Sequence, residues 1–587
     1  MIRFTRAGRA TTPERTPLAA PTGKDRWAAT AAAALIVLAG SSTVSAQQSE
    51  ALAEVTQLEN IVGDTPEPGS NNWLYPLGPR GNPFHRPDHP DHDQTVRRAE
   101  LGKMIFWDEQ LSTDNTMACG TCHFPEAGGT DLRPGGAFPS GLVGSLGVLP
   151  QDPDGDYGDG KSTTIDRRVT GLAAPTMIGA YGFSELFWDL RAGPEFRDEE
   201  GLTLAGFETN AGLEAQAAGP PISDVEMGHI GITWSSGEIQ EKLSRSRPLA
   251  LATPSSIPPE LVEAVESGKT YGKLFDEVFG GEGGVTRERI AMAIAHYERT
   301  LIPNQAPIDL PDGMTKSQVN GFNHMKNNSF SCFFCHSATR QPVLDEHNNL
   351  VSPFDQLLSD GRLHFIGLPP PGSFSGSVKT PTLRNFGLRR RFFHSGQMDD
   401  IDDVLAFYNH DLPGSFAQFG FSPQLTPEQL AEVKDFLVNA LTDPRVANAE
   451  PPFDRPDLYS ERVPYEANEH GTGTPGTGGQ VPEILASSPA LVGSPDFKIG
   501  VGRGRPLARA VLRVGMSAEP QLPLAPGLEP IALRVTFLDP GGIGTMRMPL
   551  PADPELIGRR LRIRWVITDP GATSGLALSD EASFLLL

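Results

Sequence analysis

The four cysteines of this 587-residue chain fall in two short runs, Cys119-Gly120-Thr121-Cys122-His123 and Cys332-Phe333-Phe334-Cys335-His336. A CxxCH run does three jobs with little chain. Its two thiols add across the vinyl groups of a haem, and its histidine takes the iron from one face. A thioredoxin-like redox pair does not need the trailing histidine, and a zinc site would want further cysteines. None remain, because the two motifs consume all four. The spacing therefore predicts two covalently bound c-type haems, one on Cys119, Cys122 and His123 and one on Cys332, Cys335 and His336.

The N-terminus fits that chemistry, since c-type haem is attached outside the cytoplasmic membrane. Arg3, Arg6, Arg9, Arg15, Lys24 and Arg26 precede an apolar run from Trp27 to Gly40, and Thr43-Val44-Ser45-Ala46 offers small residues for a signal peptidase. Residues 1–46 read as a signal peptide, with an uncleaved anchor as the alternative, and the run is short for a membrane span. No later stretch is apolar enough to cross a bilayer, so the mature chain is expected to be exported without a span, to the periplasm, the cell surface or the medium. A formal net charge of −23 argues against nucleic acid as a partner and suits a basic electron-donor protein.

Along the chain, His85, Asp88, His89, Asp91, His92 and Asp93 cluster in a polar stretch broken by Pro87 and Pro90. They read as a solvated turn, with a metal site or a distal haem ligand as the rarer reading. Ala99, Leu101, Met104 and Ile105 give Arg98–Trp107 the stripe of an amphipathic helix. Ile290, Met292, Ala293 and Tyr297 do the same for 287–300, and Thr426-Pro427-Glu428-Gln429 opens a helix running to Leu441 with a capping box. Residues 468–481 are Gly/Thr-rich and read as linker. Beyond them Leu561, Ile563, Trp565 and Ile567 alternate with arginines, and Ile531, Leu533, Val535 and Phe537 alternate likewise. That pattern predicts an all-β, sandwich-like module. No catalytic constellation is visible in it, and surface attachment and inert extension both remain open.

Several blocks have a familiar wording: LGKMIFWDEQLSTDNTMACGTCH, APTMIGAYGFSELFWDLRAG (174–193), AQAAGPPISDVEMG (215–228), IAMAIAHYERTLIP (290–303), the second CxxCH, and GSVKTPTLRNFGLRRRFFHSG (376–396). Together, in this order, they resemble the bacterial di-haem cytochrome c peroxidase and MauG family over roughly residues 97–441. The resemblance implies a mainly α haem region of two class-I cytochrome c-like domains, 47–285 and 286–450. A linker at 451–481 and the β-module at 482–587 would follow. It also implies a secreted enzyme that reduces hydrogen peroxide at the first haem through high-valent iron. His123 would be the proximal ligand there, and Gln216 and Glu226 the distal groups, with His229 a second choice. A carboxylate can carry the proton from the near peroxide oxygen to the departing one, while an amide positions the peroxide. Trp188 matches the tryptophan that the family places between the haems. The residues from about Glu195 to Ala211 are extra and acidic, and read as a surface loop.

Two departures bear on the subtype. Relatives that must be half-reduced before they work carry a distal histidine between the first motif and the APT segment. Residues 124–176 hold neither histidine nor methionine, and Ile165 stands near that position. The first haem is thus expected to be open in its ferric state, unless His85, His89 or His92 reaches it. The second haem would take His336 on one side and, by the family's spacing, Tyr408 on the other, as in MauG-like members, with Met398 as rival. A phenolate favours ferric iron where a thioether favours ferrous. The family's interdomain calcium is possible but doubtful. Ala173 stands where its asparagine ligand would be, and Arg389-Arg390-Arg391 adds cations that could serve haem propionates instead. Lys379 lies where relatives put a basic residue near the second haem. Electrons would come from a small cytochrome c or copper protein, or from oxidation of side chains on a protein substrate. The alternative is an electron-transfer di-haem cytochrome without peroxidase activity.

Overall fold

A computed structural model of the chain describes residues 92–133, 144–158, 167–327, 332–337, 343–348, 356–366, 377–410, 424–462, 468–470, 472–486, 488–517 and 532–587. The signal peptide, His85, His89, Ile165 and Ile531 lie outside these residues, as does the side chain of His92.

The haem region is helical: α1 (His92–Phe106), α2 (Gly212–Ala217), α3 (Glu238–Arg245), α4 (Tyr271–Phe279), α5 (Arg287–Glu298), α6 (Lys316–Asn327), α7 (Ile401–His410) and α8 (Pro427–Asp435). Two strands, β1 (Leu363–Phe365) and β2 (Ser377–Lys379), form an antiparallel pair beside the second motif. The stripes read from sequence face inward, Leu101 and Ile105 on α1 and Ile290, Ala293 and Tyr297 on α5 being almost fully buried, whereas Met292 is only partly covered at the edge of the core. Helix α1 begins earlier than its apolar stripe, at His92. Helix α8 carries the expected box, Gln429 N–H donating to Thr426 Oγ1 and Thr426 N–H to Gln429 Oε1. Its α-helical part ends at Asp435, and Phe436–Ala440 continues as a π turn.

Each CxxCH follows a helix crossing made close by a glycine. Gly102 of α1 lies against α5 so tightly that a Cβ would collide with the Ala293 carbonyl, and Gly321 of α6 lies likewise against the Glu432 carbonyl of α8. The first crossing belongs to a core with Phe106, Trp107, Phe275 and Tyr297, the second to a core with Phe322, Phe333 and Phe436. In the second core, Arg384 and Asp309 form a buried two-pronged pair at 2.6 and 2.7 Å.

The start of the stretch expected as linker is packed instead. Phe453 and Leu458 complete the first core. Asp454 meets Lys103 at 2.7 Å, and the Asp457 carboxylate accepts from Thr253 and Ser256. Glu109, 2% exposed, accepts the backbone N–H groups of Tyr459 and Ser460. The charges of this segment are taken up by partners far along the chain, which a reading of local composition does not reveal. The Gly/Thr stretch is also held: β3 (Asn468–His470) pairs with a strand near the C-terminus, and Thr477 donates to Asp569. The acidic 195–211 loop is similarly anchored, with Phe196 fully buried edge-on to Phe207.

The remaining strands are β4 (Glu483–Leu485), β5 (Lys498–Gly502), β6 (Arg509–Ser517), β7 (Ala532–Phe537), β8 (Gly544–Arg547), β9 (Arg560–Thr568) and β10 (Leu576–Leu585). They form two sheets, ordered β3-β10-β9-β6-β7 and β4-β5-β8, over one shared core. Leu561, Ile563, Trp565 and Ile567 point into it, and Trp565 Nε1–H donates to the Gly500 carbonyl across the two sheets. The other alternating run faces out. Leu533, Val535 and Phe537 are exposed on edge strand β7. A period of two identifies residues that share a face, but it does not say which face is covered.

Two outcomes follow from the buried charges. Asp309→Ala leaves the Arg384 guanidinium buried and unpaired, so chemical denaturation should show a loss of about 3–5 kcal/mol. Burial pushes the Glu109 carboxyl up to about 8, against the Ser460 and Tyr459 donors. The folded chain then binds a proton that the unfolded chain releases near 4.5, so this contribution is complete below 4.5 and lost as pH rises through 8. The melting temperature should fall across that window, and less steeply in Glu109→Gln; parallel slopes would remove Glu109 from the account.

Candidate functional site

Each CxxCH borders a cavity. The first, of about 560 Å³, is lined by Cys119, Cys122 and His123 together with Trp188, Gln216 and Glu226. The second, of about 290 Å³, is lined by Cys332, Cys335 and His336 together with Trp188 and Tyr408. The structure therefore gathers the first-choice site residues of the sequence around two cavities. They share a wall: residues 173–176, Trp188, Lys379 and Pro381 line both.

The motif backbones explain how the donors are presented. Cys119–Thr121 and Cys332–Phe334 are single 3₁₀ turns, and Cys122 N–H closes the first onto Cys119 O. In both motifs the histidine Nδ1 lies 3.1 Å from a backbone carbonyl, Gly129 for His123 and Leu358 for His336. A carbonyl only accepts, so the proton sits on Nδ1 and the Nε2 lone pair is left to bind a metal. Burial lowers both imidazoles' proton affinity, that of His336 to about 4, keeping them in the neutral, ligating form. All four thiols are free of disulfides. These donor sets, each beside its own apolar cavity, fit two covalently attached haems.

On the far side of the first cavity, α2 presents Gln216 and the following turn presents Glu226. Burial pushes the Glu226 carboxyl upward, opposed by the Ser223 hydroxyl and by Arg191. Arg191 also lines the cavity, stacked 3.7 Å over Phe187. His229 is elsewhere. Its ring is buried against Ile230 O and Glu238, 3.2 Å away, so the second-choice distal group is outside the cavity. Among the described residues no histidine but His123 lines this cavity.

Trp188 stands in the common wall, its Nε1–H donating to Ala173 O at 2.9 Å and its ring edge-on to His394. Ala173, at the position of the family's calcium asparagine, thus spends its carbonyl on Trp188 and its N–H on His394 O. Arg389 reaches the carbonyls of Thr382 and Arg384, and both Arg389 and Arg391 line the second cavity. Tyr408 and Met398 pack in the second core, but only Tyr408 lines the cavity. Burial and the nearby thiols push the Tyr408 phenol up.

Two cavity residues escaped the sequence reading or outgrew it. Glu298, at the end of α5, is 4% exposed and lines the first cavity with Oε2 unbonded. Burial raises its carboxyl to about 8, with Arg299 pulling it down. In sequence it looks like an ordinary polar residue at a helix end. Lys379, expected near the second haem, borders both cavities. Its Nζ lies 3.4 Å above the Phe183 ring, and burial alone lowers it to about 7.

A family model described as di-haem cytochrome c peroxidase matches residues 96–311. The methylamine utilization protein MauG of Methylophilus methylotrophus is 25% identical over 361 residues, 58% of this chain and 81% of that protein. The cytochrome c551 peroxidase of Nitrosomonas europaea is 26% identical over 317 residues, 52% of this chain and 71% of that one. Among solved structures, a MauG-like protein associated with microbial copper homeostasis aligns at a TM-score of 0.40 and 18% identity, covering 61% of this chain and 92% of that one. The family match begins just ahead of the first motif, and the MauG and peroxidase alignments each span more than half of the chain. Through its helical region the chain is similar to the di-haem cytochrome c peroxidase and MauG family, the family model covering the first CxxCH and the relatives' alignments extending over more than half of the chain.

Proposed function

We propose that this is an exported di-haem c-type peroxidase of the MauG-like kind, in which His123 holds the haem that meets hydrogen peroxide and Tyr408 with His336 holds the second. The observation that carries the reading is the convergence of Gln216 and Glu226 on the cavity bordered by the first motif. A haem bound there would supply the iron and the electrons for cleaving an O–O bond. The chain supplies proton traffic and orientation. Glu226, as carboxylate, accepts the proton of the near oxygen and returns it to the departing one, which leaves as water. The Gln216 amide holds the peroxide for that transfer. Trp188, in the wall common to both cavities, offers an oxidisable indole between them, and its bond to Ala173 O fixes its plane.

At the second cavity the buried phenol of Tyr408 is protonated in the absence of metal, so the charge of ferric iron is what would hold it as phenolate. The pair His336 and Tyr408 favours higher oxidation states, which suits sharing oxidising equivalents between haems. Arg389 and Arg391 stand ready to neutralise propionates. The reducing partner is a small electron-carrier protein or an oxidisable side chain of a protein substrate. Export rests on the basic and apolar N-terminal run; no helix among the described residues is long and apolar enough to cross a membrane.

Glu226→Gln should slow the reaction of the diferric protein with peroxide by roughly 100- to 10,000-fold in stopped-flow absorbance. In the parent protein the rate should climb as pH rises through the elevated pKa of Glu226, because the carboxylate is the active form, and this rise should vanish in the variant. An unchanged rate would leave an electron-transfer cytochrome as the better reading. Tyr408→Met should raise the ferric–ferrous midpoint of one haem and leave the other in place. A midpoint indifferent to residue 408 would exclude it as a ligand.

A further inference from the structure

The β-module lies beyond the region matched by the family model, and its sequence gives no chemistry. Its contacts do. Residues 144–158 start in the wall of the first cavity, where Ser145, Leu146 and Gly147 line it. They leave alongside the Glu226 segment. Val148 N–H donates to the Glu226 carbonyl at 3.1 Å, and Ile230 N–H donates to the Gln151 carbonyl at 3.2 Å. Gly147 sits so close to this segment that a Cβ would collide with the Val225 carbonyl. The loop and the Glu226 turn are therefore tied by two backbone hydrogen bonds and one close backbone approach.

The outer end of the same loop is gripped by β5 and β8. Lys498 of β5, 5% exposed, donates to Gln151 Oε1 at 2.7 Å and to the Gly155 carbonyl. Arg547 of β8 donates to Asp156 Oδ1 at 3.0 Å and to the Asp154 carbonyl. Thr545 Oγ1 accepts the Tyr157 N–H at 2.8 Å, and the Tyr157 ring is buried with Leu485 and Ile543. A buried ammonium is costly unless its donors are met. Gln151 and Gly155 meet those of Lys498 only when the loop is in this position.

We infer that the β-module is a structural member of the first haem site: through Lys498 and Arg547 it fixes the 144–158 loop and so positions the backbone of Glu226. Lys498 and Arg547 are positioning residues that touch neither haem nor peroxide. The inference rests on the reading of Glu226 given above. Attachment elsewhere is not needed to explain the module.

The test uses the full-length, haem-loaded protein carrying Lys498→Met and Arg547→Ala. Amide exchange at Val148 and Ile230 should quicken by at least about 10-fold, since both donate across the loop boundary. The peroxide rate should fall by on the order of 10- to 100-fold, the cost of a small misplacement of a catalytic group, with its pH profile displaced. The electron paramagnetic resonance signal of the second haem should stay as it was, and Arg547→Lys should recover part of the loss. Unchanged exchange at both amides with an unchanged pH profile, in a soluble di-haem variant, overturns the inference. If the double variant does not accumulate, Thr545→Val removes only the acceptor for Tyr157 N–H and is judged by the same readouts. Glu226→Gln in the intact chain separates the two levels. A normal peroxide rate there refutes the catalytic reading, while amide exchange still decides whether the module holds the loop.

Discussion

The hydrogen bond from each motif histidine to a backbone carbonyl is the constraint on which both sites depend. It selects one tautomer, sets the ring plane, and leaves a single nitrogen for iron. For that bond to exist, Gly129 and Leu358 must be held by their own surroundings. Those surroundings are the two aromatic cores, each closed by a helix crossing at glycine. Packing and ligand geometry are therefore one problem here. A methyl group at Gly102 or Gly321 would collide with the facing backbone and force its crossing apart.

Between the cavities the chain invests in a thin, rigid wall rather than in a third element. Trp188 bonds Ala173 through its indole and accepts Lys379 N–H through its carbonyl. Lys379 in turn places a cation above Phe183. The wall thus combines a hydrogen-bonded indole with a cation over an aromatic ring. Its buried lysine is poised near neutrality, so the field felt by both cavities depends on how that amine is charged.

Much of this was legible in the chain, for local reasons. CxxCH spacing is covalent chemistry, the stripes on α1 and α5 are helical geometry, and the Thr426 capping box is a four-residue motif. That Glu226 and Gln216 would share a cavity with the first motif was legible only through resemblance, since a lone Glu on a turn has no local mark of its surroundings. What sequence hid was long-range. Glu298 shows itself only when α5 is placed against the cavity. The Glu109 and Lys498 contacts join residues several hundred positions apart, and no window of sequence contains both partners. The outward face of β7 was hidden for a different reason, because alternation carries no sign.

The return of Phe453 and Leu458 to the first core has a temporal consequence. During synthesis, Cys119 and Cys122 emerge long before the residues that finish the core around them. Until the second haem region and the 451–462 strap have emerged, the first motif has no complete interior to retreat into. The order of residues along the chain thus puts the two halves of this core more than 300 positions apart. Closure is delayed until the last helical segment arrives, as for any fold whose nucleus needs contacts of high sequence separation.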